Sequence, residues 1–479
     1  MPHLSPTQPL TLATLAALLH SQESIRLSPE AEQRIEAGQA LLQQHVQAPA
    51  SEQTDSSPQL LAALPDANLP PTEQAQRQAN LLMAHAAGTG PEIPTPLVRR
   101  MLLLKAHSLS QGHQGVALPV VRRLLDFYNR EVWPIVYEQG SLGAGGDQIP
   151  LAHLALPLLG LGEVSYQGYR LASSDVMELL GWPALALQAH EGPALLSGQH
   201  FVLAYATEAL ERAQHLLRAA NVIAALSSDV VGASGAPLPT ASHQTGDETG
   251  ATQMAARLQP LLANSELPAQ AWATATAESD LLPFYSLPPV QGASHDALAY
   301  VQQVVEAECN VPAGEALAYA KQNVLVQPGN LSKPTVPLAM RQLALAITSL
   351  STLSEQRTTL LVAGKHDLPP HLTAESGGSG LVALPLVAAS LVSQNQQLCA
   401  ASLSVLQARQ VVENAEQLLG IELLAAAQAL EFRRPARTSP ALEAVVAAFR
   451  AHVTFVAHDR VLAPDLHRAA RFVREFAWE

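Results

Sequence analysis

The feature that most constrains this chain is the spacing of its apolar residues. From Val336 to Leu361, and again from Leu381 to Leu430 with few interruptions, apolar side chains recur at helical intervals and glycine is scarce. Such a period places one stripe of each helix against a partner. The same period governs Leu97–Leu109, Leu118–Tyr137, Glu191–Leu226 and Ala441–Phe476. Residues 1–45 read as two helices, the second opened by Ser28-Pro29-Glu30, a cap residue with proline in the first turn. The fold class expected is therefore mainly α, with long helices. Only Val164–Arg170 alternates in a way that predicts a small hairpin.

Between the helices lie three kinds of interruption. Residues 46–72 hold many prolines, serines and glutamines and read as a loop or flap, and 227–250 is a second loop rich in Ser, Gly, Pro and Thr. The third is glycine-dense: Gly140-Ser141-Leu142-Gly143-Ala144-Gly145-Gly146-Asp147, returning to an apolar run at Leu151. Glycines permit close backbone approach and positive φ, and Asp147 is placed to cap the helix that follows it.

Composition excludes several functions. The chain has 479 residues, 48% hydrophobic and only 14% charged, with a net charge of −14. A phosphate-backbone partner needs a basic stripe, so nucleic acid is excluded as a partner. No uncharged run is a convincing membrane span. The two cysteines, Cys309 and Cys399, give neither a disulfide framework nor a metal-ligand spacing, and no basic leader precedes the apolar run Leu10–Leu19. A cytoplasmic protein without a bound metal is expected.

Read as strings, the landmarks resemble the histidine and phenylalanine ammonia-lyases. That family's active-site loop reads Gly-Ser-Val-Gly-Ala-Ser-Gly-Asp-Leu-Ala-Pro-Leu-Ala-His, against Gly140–His153 here. Further matches follow in order: Met83–Gly90, Lys105–Gly115, Asn129–Pro134, Glu191–Leu196, Leu353–Arg357 and Ile421–Leu423. The resemblance implies an ammonia-lyase/aspartase-fumarase-like fold built on a long central helical bundle, assembled as a homotetramer. Two parts are expected: an N-terminal lyase-like domain, 1–226, and a central bundle with C-terminal helices, 227–479.

In the family the Ala-Ser-Gly of the loop becomes an electrophilic methylidene-imidazolone. Here the tripeptide is Ala144-Gly145-Gly146, and glycine has no Cβ from which a methylidene could form. The expectation is no such cofactor. The other Ala-Ser-Gly, Ala233-Ser234-Gly235, falls in a loop away from these landmarks. The family's catalytic tyrosine belongs to the interval that is 46–72 here, where no tyrosine occurs. Its prosthetic-group asparagine corresponds to Ser197, in Leu195-Leu196-Ser197-Gly198-Gln199-His200. Its Tyr-Ser-Leu-Arg loop appears as Tyr285-Ser286-Leu287-Pro288, and its Gly-Gly-Asn-Phe-His motif as Pro328-Gly329-Asn330-Leu331-Ser332. Its Asn-Gln-Glu-Asp segment has no counterpart after Asn395.

The vestigial loop Ala144–Asp147 and the pocket candidates His85, Ser197, His200, Tyr285, Asn330 and Leu331 are the site implied. For His85, His153 and Tyr285, a site role and a packing role both stay open. The reading favoured is an ammonia-lyase-like protein without catalysis, with a binding, scaffold or regulatory role, as a homo-oligomer or together with an intact lyase paralogue. The alternative is a carbon–nitrogen eliminating lyase on an aromatic or histidine-derived substrate that works without the prosthetic group. A conventional ammonia-lyase is the third reading, opposed by position 145.

Overall fold

Helix dominates because long apolar-periodic segments meet few breakers, and where breakers occur the helices end. The computed structural model describes residues 2–47, 69–141, 146–233, 250–267, 282–314, 316–327, 334–400 and 404–478. The chain forms two compact units, each discontinuous in sequence: 1–208 with 303–338, and 209–302 with 339–479. This differs from the single boundary at 226/227 expected from sequence. The physical reason is that three helices, His200–Val230, Leu287–Cys309 and Thr335–Val362, run across the divisions, so no loop marks them.

The first unit is organised on Thr95–Ser110, whose side chains are all buried from Arg100 to Ser110. A helix apolar on one face only would leave its polar residues in water; here Lys105, His107 and Ser108 are carried inside and must find partners there. Pro29–Gln47 and Leu118–Asn129 pack on it or on each other. Small strands join the helices. Thr89–Glu92 pairs antiparallel with Tyr137–Gln139, and Glu163–Tyr166 forms the expected hairpin with Tyr169–Ala172. A second hairpin, Leu317–Tyr319 with Val324–Val326, has strands too short to stand out in the sequence.

Two expected helices are shorter than the apolar period suggested. The segment Leu118–Tyr137 stops at Asn129, because Glu131 takes a positive φ of 55° and Trp133–Pro134 pairs with Val164 and Ser165 instead. The segment from Glu191 is interrupted by Ser197-Gly198-Gln199 into Glu191–Leu196 and His200–Val230. Gly198 has φ +108°, and a Cβ there would lie 2.3 Å from Cε1 of His200. Only glycine fits this turn without strain.

The second unit is centred on Val405–Glu431, every residue of which is buried from Leu418 to Leu430. Ser404 and Gln407 cap it reciprocally. It packs on Leu384–Ala400 and on Ala463–Glu475. Against the latter it approaches so closely at Gly420 that a Cβ would be 2.7 Å from the Ala470 nitrogen. Thr335–Val362 is long and apolar enough to cross a membrane by length and composition alone, but 56% of its most apolar window is buried within the chain. It also carries Arg357, which is buried in an ion pair.

Candidate active site

In the first unit the end of the glycine-dense loop is held by one carboxylate. Asp147 stands at the N-cap position of Gln148–Ala155 but makes no side-chain hydrogen bond to it, contrary to the capping role expected from sequence. Its carboxylate instead accepts from the Ser141 hydroxyl at 2.6 Å and from the backbone N–H groups of Phe201 and Val202 at 2.8 and 3.0 Å. Those N–H groups belong to the first turn of His200–Val230 and have no partner within their own helix. Asp147 thus caps a helix more than fifty residues away in sequence. Burial pushes its carboxyl up to about 6, against the opposing pull of Ser141, the two N–H groups and Lys105.

Lys105 supplies the nearby positive charge. Its ammonium donates to the carbonyls of Ala194 and Ser197, both at 2.8 Å. Loss of hydration lowers it to about 7, with Asp147 acting in the opposite direction. Asp147 and Lys105 therefore tie three segments together: the loop end, the start of the long helix and the turn at Ser197. His200 is buried beside them, and its Nδ1 has no hydrogen-bond partner. Burial, with Lys105 and His107 nearby, holds this imidazole neutral.

Ser197 spends its hydroxyl on the Pro193 carbonyl at 2.7 Å. His85 is half-buried, and its Nδ1 is 2.8 Å from the Leu81 carbonyl one turn back. His153 accepts the N–H of Gly88 on Nε2 at 3.0 Å and stands edge-on to Tyr137. Gly88 has no side chain because a Cβ would meet that same imidazole. Tyr285 belongs to the second unit, where it ends the short helix Leu282–Tyr285, half-buried. Ala144, Gly145, Asn330 and Leu331 lie outside the described residues, as do Ser234 and Gly235; Gly146 is described, with φ +99° and open space where a Cβ would be.

The motifs behind the resemblance do identifiable structural work. Glu191 is buried and accepts from the N–H groups of Ala117 and Gln188 at 2.7 and 2.6 Å, while Gly192 donates to Gln78. Asn129 exchanges two hydrogen bonds with the backbone of Ile25. In the second unit, Arg357 and Glu422 form a buried pair, with Nε to Oε1 at 2.6 Å and Nη2 to Oε2 at 2.9 Å. Glu413 and Glu416, the acids nearest the missing acidic segment, are held by Arg212, and Glu416 by Arg474 as well. Sequence reasoning missed Lys105 as a central group. The available signal was a lysine inside an otherwise buried helical run.

Among the described residues no group of three or more His, Cys, Asp or Glu is arranged to hold a metal. The model of the aromatic amino acid lyase family matches residues 10–451. A histidine ammonia-lyase of Symbiobacterium thermophilum is 34% identical over 97% of this chain and 95% of its own length. Among solved structures, histidine ammonia-lyase from Trypanosoma cruzi superposes with a TM-score of 0.85 at 28% identity, covering 99% of this chain and 93% of that one. Phenylalanine aminomutase of Pantoea agglomerans shares the fold, with a TM-score of 0.88 at 22% identity over 99% of both chains. The match over most of the chain, in sequence and in fold, places this protein in the aromatic amino acid lyase family.

Proposed function

We propose that this chain keeps the lyase scaffold without the lyase chemistry, and acts as a binding, scaffold or regulatory protein that does not deaminate histidine or aromatic amino acids. The observation that carries the reading is Gly145. The family's electrophile needs the serine Cβ as its exocyclic carbon and loses the serine hydroxyl as water. Ala144-Gly145-Gly146 offers neither, so the residues present do not fit the group.

Other losses point the same way. No tyrosine stands in 46–72 to take a proton, and Pro288 follows Leu287 where the family has an arginine for the substrate carboxylate. Glu413, Glu416 and Glu422 are each engaged by arginine. Residues of a catalytic constellation act together, and losing one essential member removes most of the rate. What is kept, including the Asp147 anchor and the Glu191 and Arg357 contacts, serves folding and assembly. The reading includes a cytoplasmic homotetramer, with co-assembly with an intact paralogue as a further arrangement.

One observation favours the alternative, elimination without an electrophile. Lys105, whose ammonium donates to the Ala194 and Ser197 carbonyls, is lowered to about 7 beside Asp147, and released from those carbonyls it would titrate in the range a general base needs. Such a base would take a Cβ proton while the carbon–nitrogen bond breaks and the amine leaves. A quaternary amine leaves without help, whereas ammonia does not.

The test uses purified protein with histidine, phenylalanine, tyrosine and the trimethylammonium betaine of histidine, following the unsaturated acid by absorbance. The proposal expects none above a no-enzyme control, and none from Gly145→Ser with the three amino acids, because the other losses are independent of that residue. Urocanate or cinnamate from ammonia elimination would overturn it, and product from the betaine alone would establish the alternative.

A further inference from the structure

The second unit holds a cavity of about 540 Å³, within the range of small-molecule sites. It lies between the Gly250–Leu262 helix and parts of the two long helices His200–Val230 and Leu287–Cys309. Gly250 and Gly292 set the geometry. A Cβ on Gly250 would be 2.2 Å from the Gly292 carbonyl oxygen, so the backbones touch at that end. The cavity lies further along both helices, where residues 257–261 face residues 295–302.

Gln214 and Gln302 in its wall bond to each other, Nε2 to Oε1 at 2.9 Å, but other polar groups there are left without partners. Arg218 and Arg257 both line it, and neither makes an ion pair or hydrogen bond among the described residues. Arg212, Arg357, Arg434 and Arg474 of the same unit are all paired. Asn221 is 6% exposed and lines the cavity, and its Oδ1 has no partner. Gln291 is 1% exposed, lines the adjoining recess, and has an unpartnered Oε1. Gln291 still donates its Nε2 to the Ala220 carbonyl, but a buried amide oxygen without a donor is costly unless something else satisfies it.

One acid lies nearby, Asp296, and a single carboxylate offsets only part of the charge of two arginines. Asp296 spends one oxygen on the Gly250 N–H. His295 lines the cavity, and burial and Arg257 lower its imidazole below the usual range, opposed by Asp296. Beside the paired Gln214 and Gln302, the rest of the wall is apolar, from Leu217, Val222, Leu261 and Leu298. In a chain with a net charge of −14, two arginines without an ion pair among the described residues, on a largely apolar cavity, are an anion-binding arrangement.

We propose that this cavity binds a small organic acid, its carboxylate or phosphate held by Arg218 and Arg257, its body on the apolar wall, and a donor group meeting Asn221 or Gln291. The site is independent of the glycine loop and of the catalytic reading above.

The test measures binding of 4-hydroxybenzoate and phenyl phosphate to the full chain by saturation-transfer NMR and thermal shift. Neutral 4-hydroxybenzamide and inorganic phosphate are the controls. Millimolar binding of at least one organic acid is expected, with the amide and the bare ion about tenfold weaker or absent. Arg218→Gln with Arg257→Gln should remove it while leaving the ligand-free unfolding temperature unchanged, since both side chains are exposed. Leu298→Trp, which fills the cavity, should remove it too. No binding of either acid, or equal binding by the double variant, overturns the proposal.

Discussion

The Asp147 carboxylate accepts three hydrogen bonds in full burial and still has its carboxyl raised to about 6. Desolvation therefore outweighs the donors around it. Because the folded value lies above the unfolded one, the folded chain holds this proton more tightly. The group's contribution favours folding at low pH and is lost as pH rises through about 6. Asn cannot titrate. Urea midpoints of wild type and Asp147→Asn should thus converge from about pH 4 to about pH 7, after allowing for any constant offset from the lost hydrogen bonds. A difference that widens over this range would mean that the donors and Lys105 win instead. Legibility at this scale was mixed. Asp147 stood out in the sequence, but its partner did not, because nothing local links position 147 to the first turn at Phe201.

Among elements, Leu353–Arg357 and Ile421–Leu423 lie on different helices and meet through Arg357 and Glu422, which are 1% and 0% exposed. Ser227 adds a hydrogen bond to the same carboxylate. Removing one member of a buried pair strands the other charge, so Glu422→Gln should cost about 3 kcal/mol or more in denaturant unfolding. The exposed pair Glu30–Arg34 is the contrast, and Glu30→Gln should cost less than about 1 kcal/mol. Equal effects would show that burial does not set the difference. Helix positions were legible because the 3.6 period persists through Thr335–Val362 and Val405–Glu431. The breaks were less so. Gly198 is an ordinary glycine in sequence, and its turn is visible only when its φ and the His200 ring are seen.

For the whole molecule, the landmark motifs carried the family, whereas the units did not follow from the sequence because helices rather than loops cross between them. Leu338, Leu345 and Leu386 are at least half exposed on the helices Thr335–Val362 and Leu384–Ala400, which suits faces buried in an oligomer. Light scattering is expected to give four times the 50.7 kDa of one chain, and a monomer at micromolar concentration would contradict the assembly proposed. The central claim, that the loop holds no electrophile, is tested most directly by mass. Intact and peptide masses should equal those of the translated sequence, apart from any removal of Met1, with residues 144–146 unmodified. A deficit of two waters mapped to 144–146 or to 233–235 would contradict it.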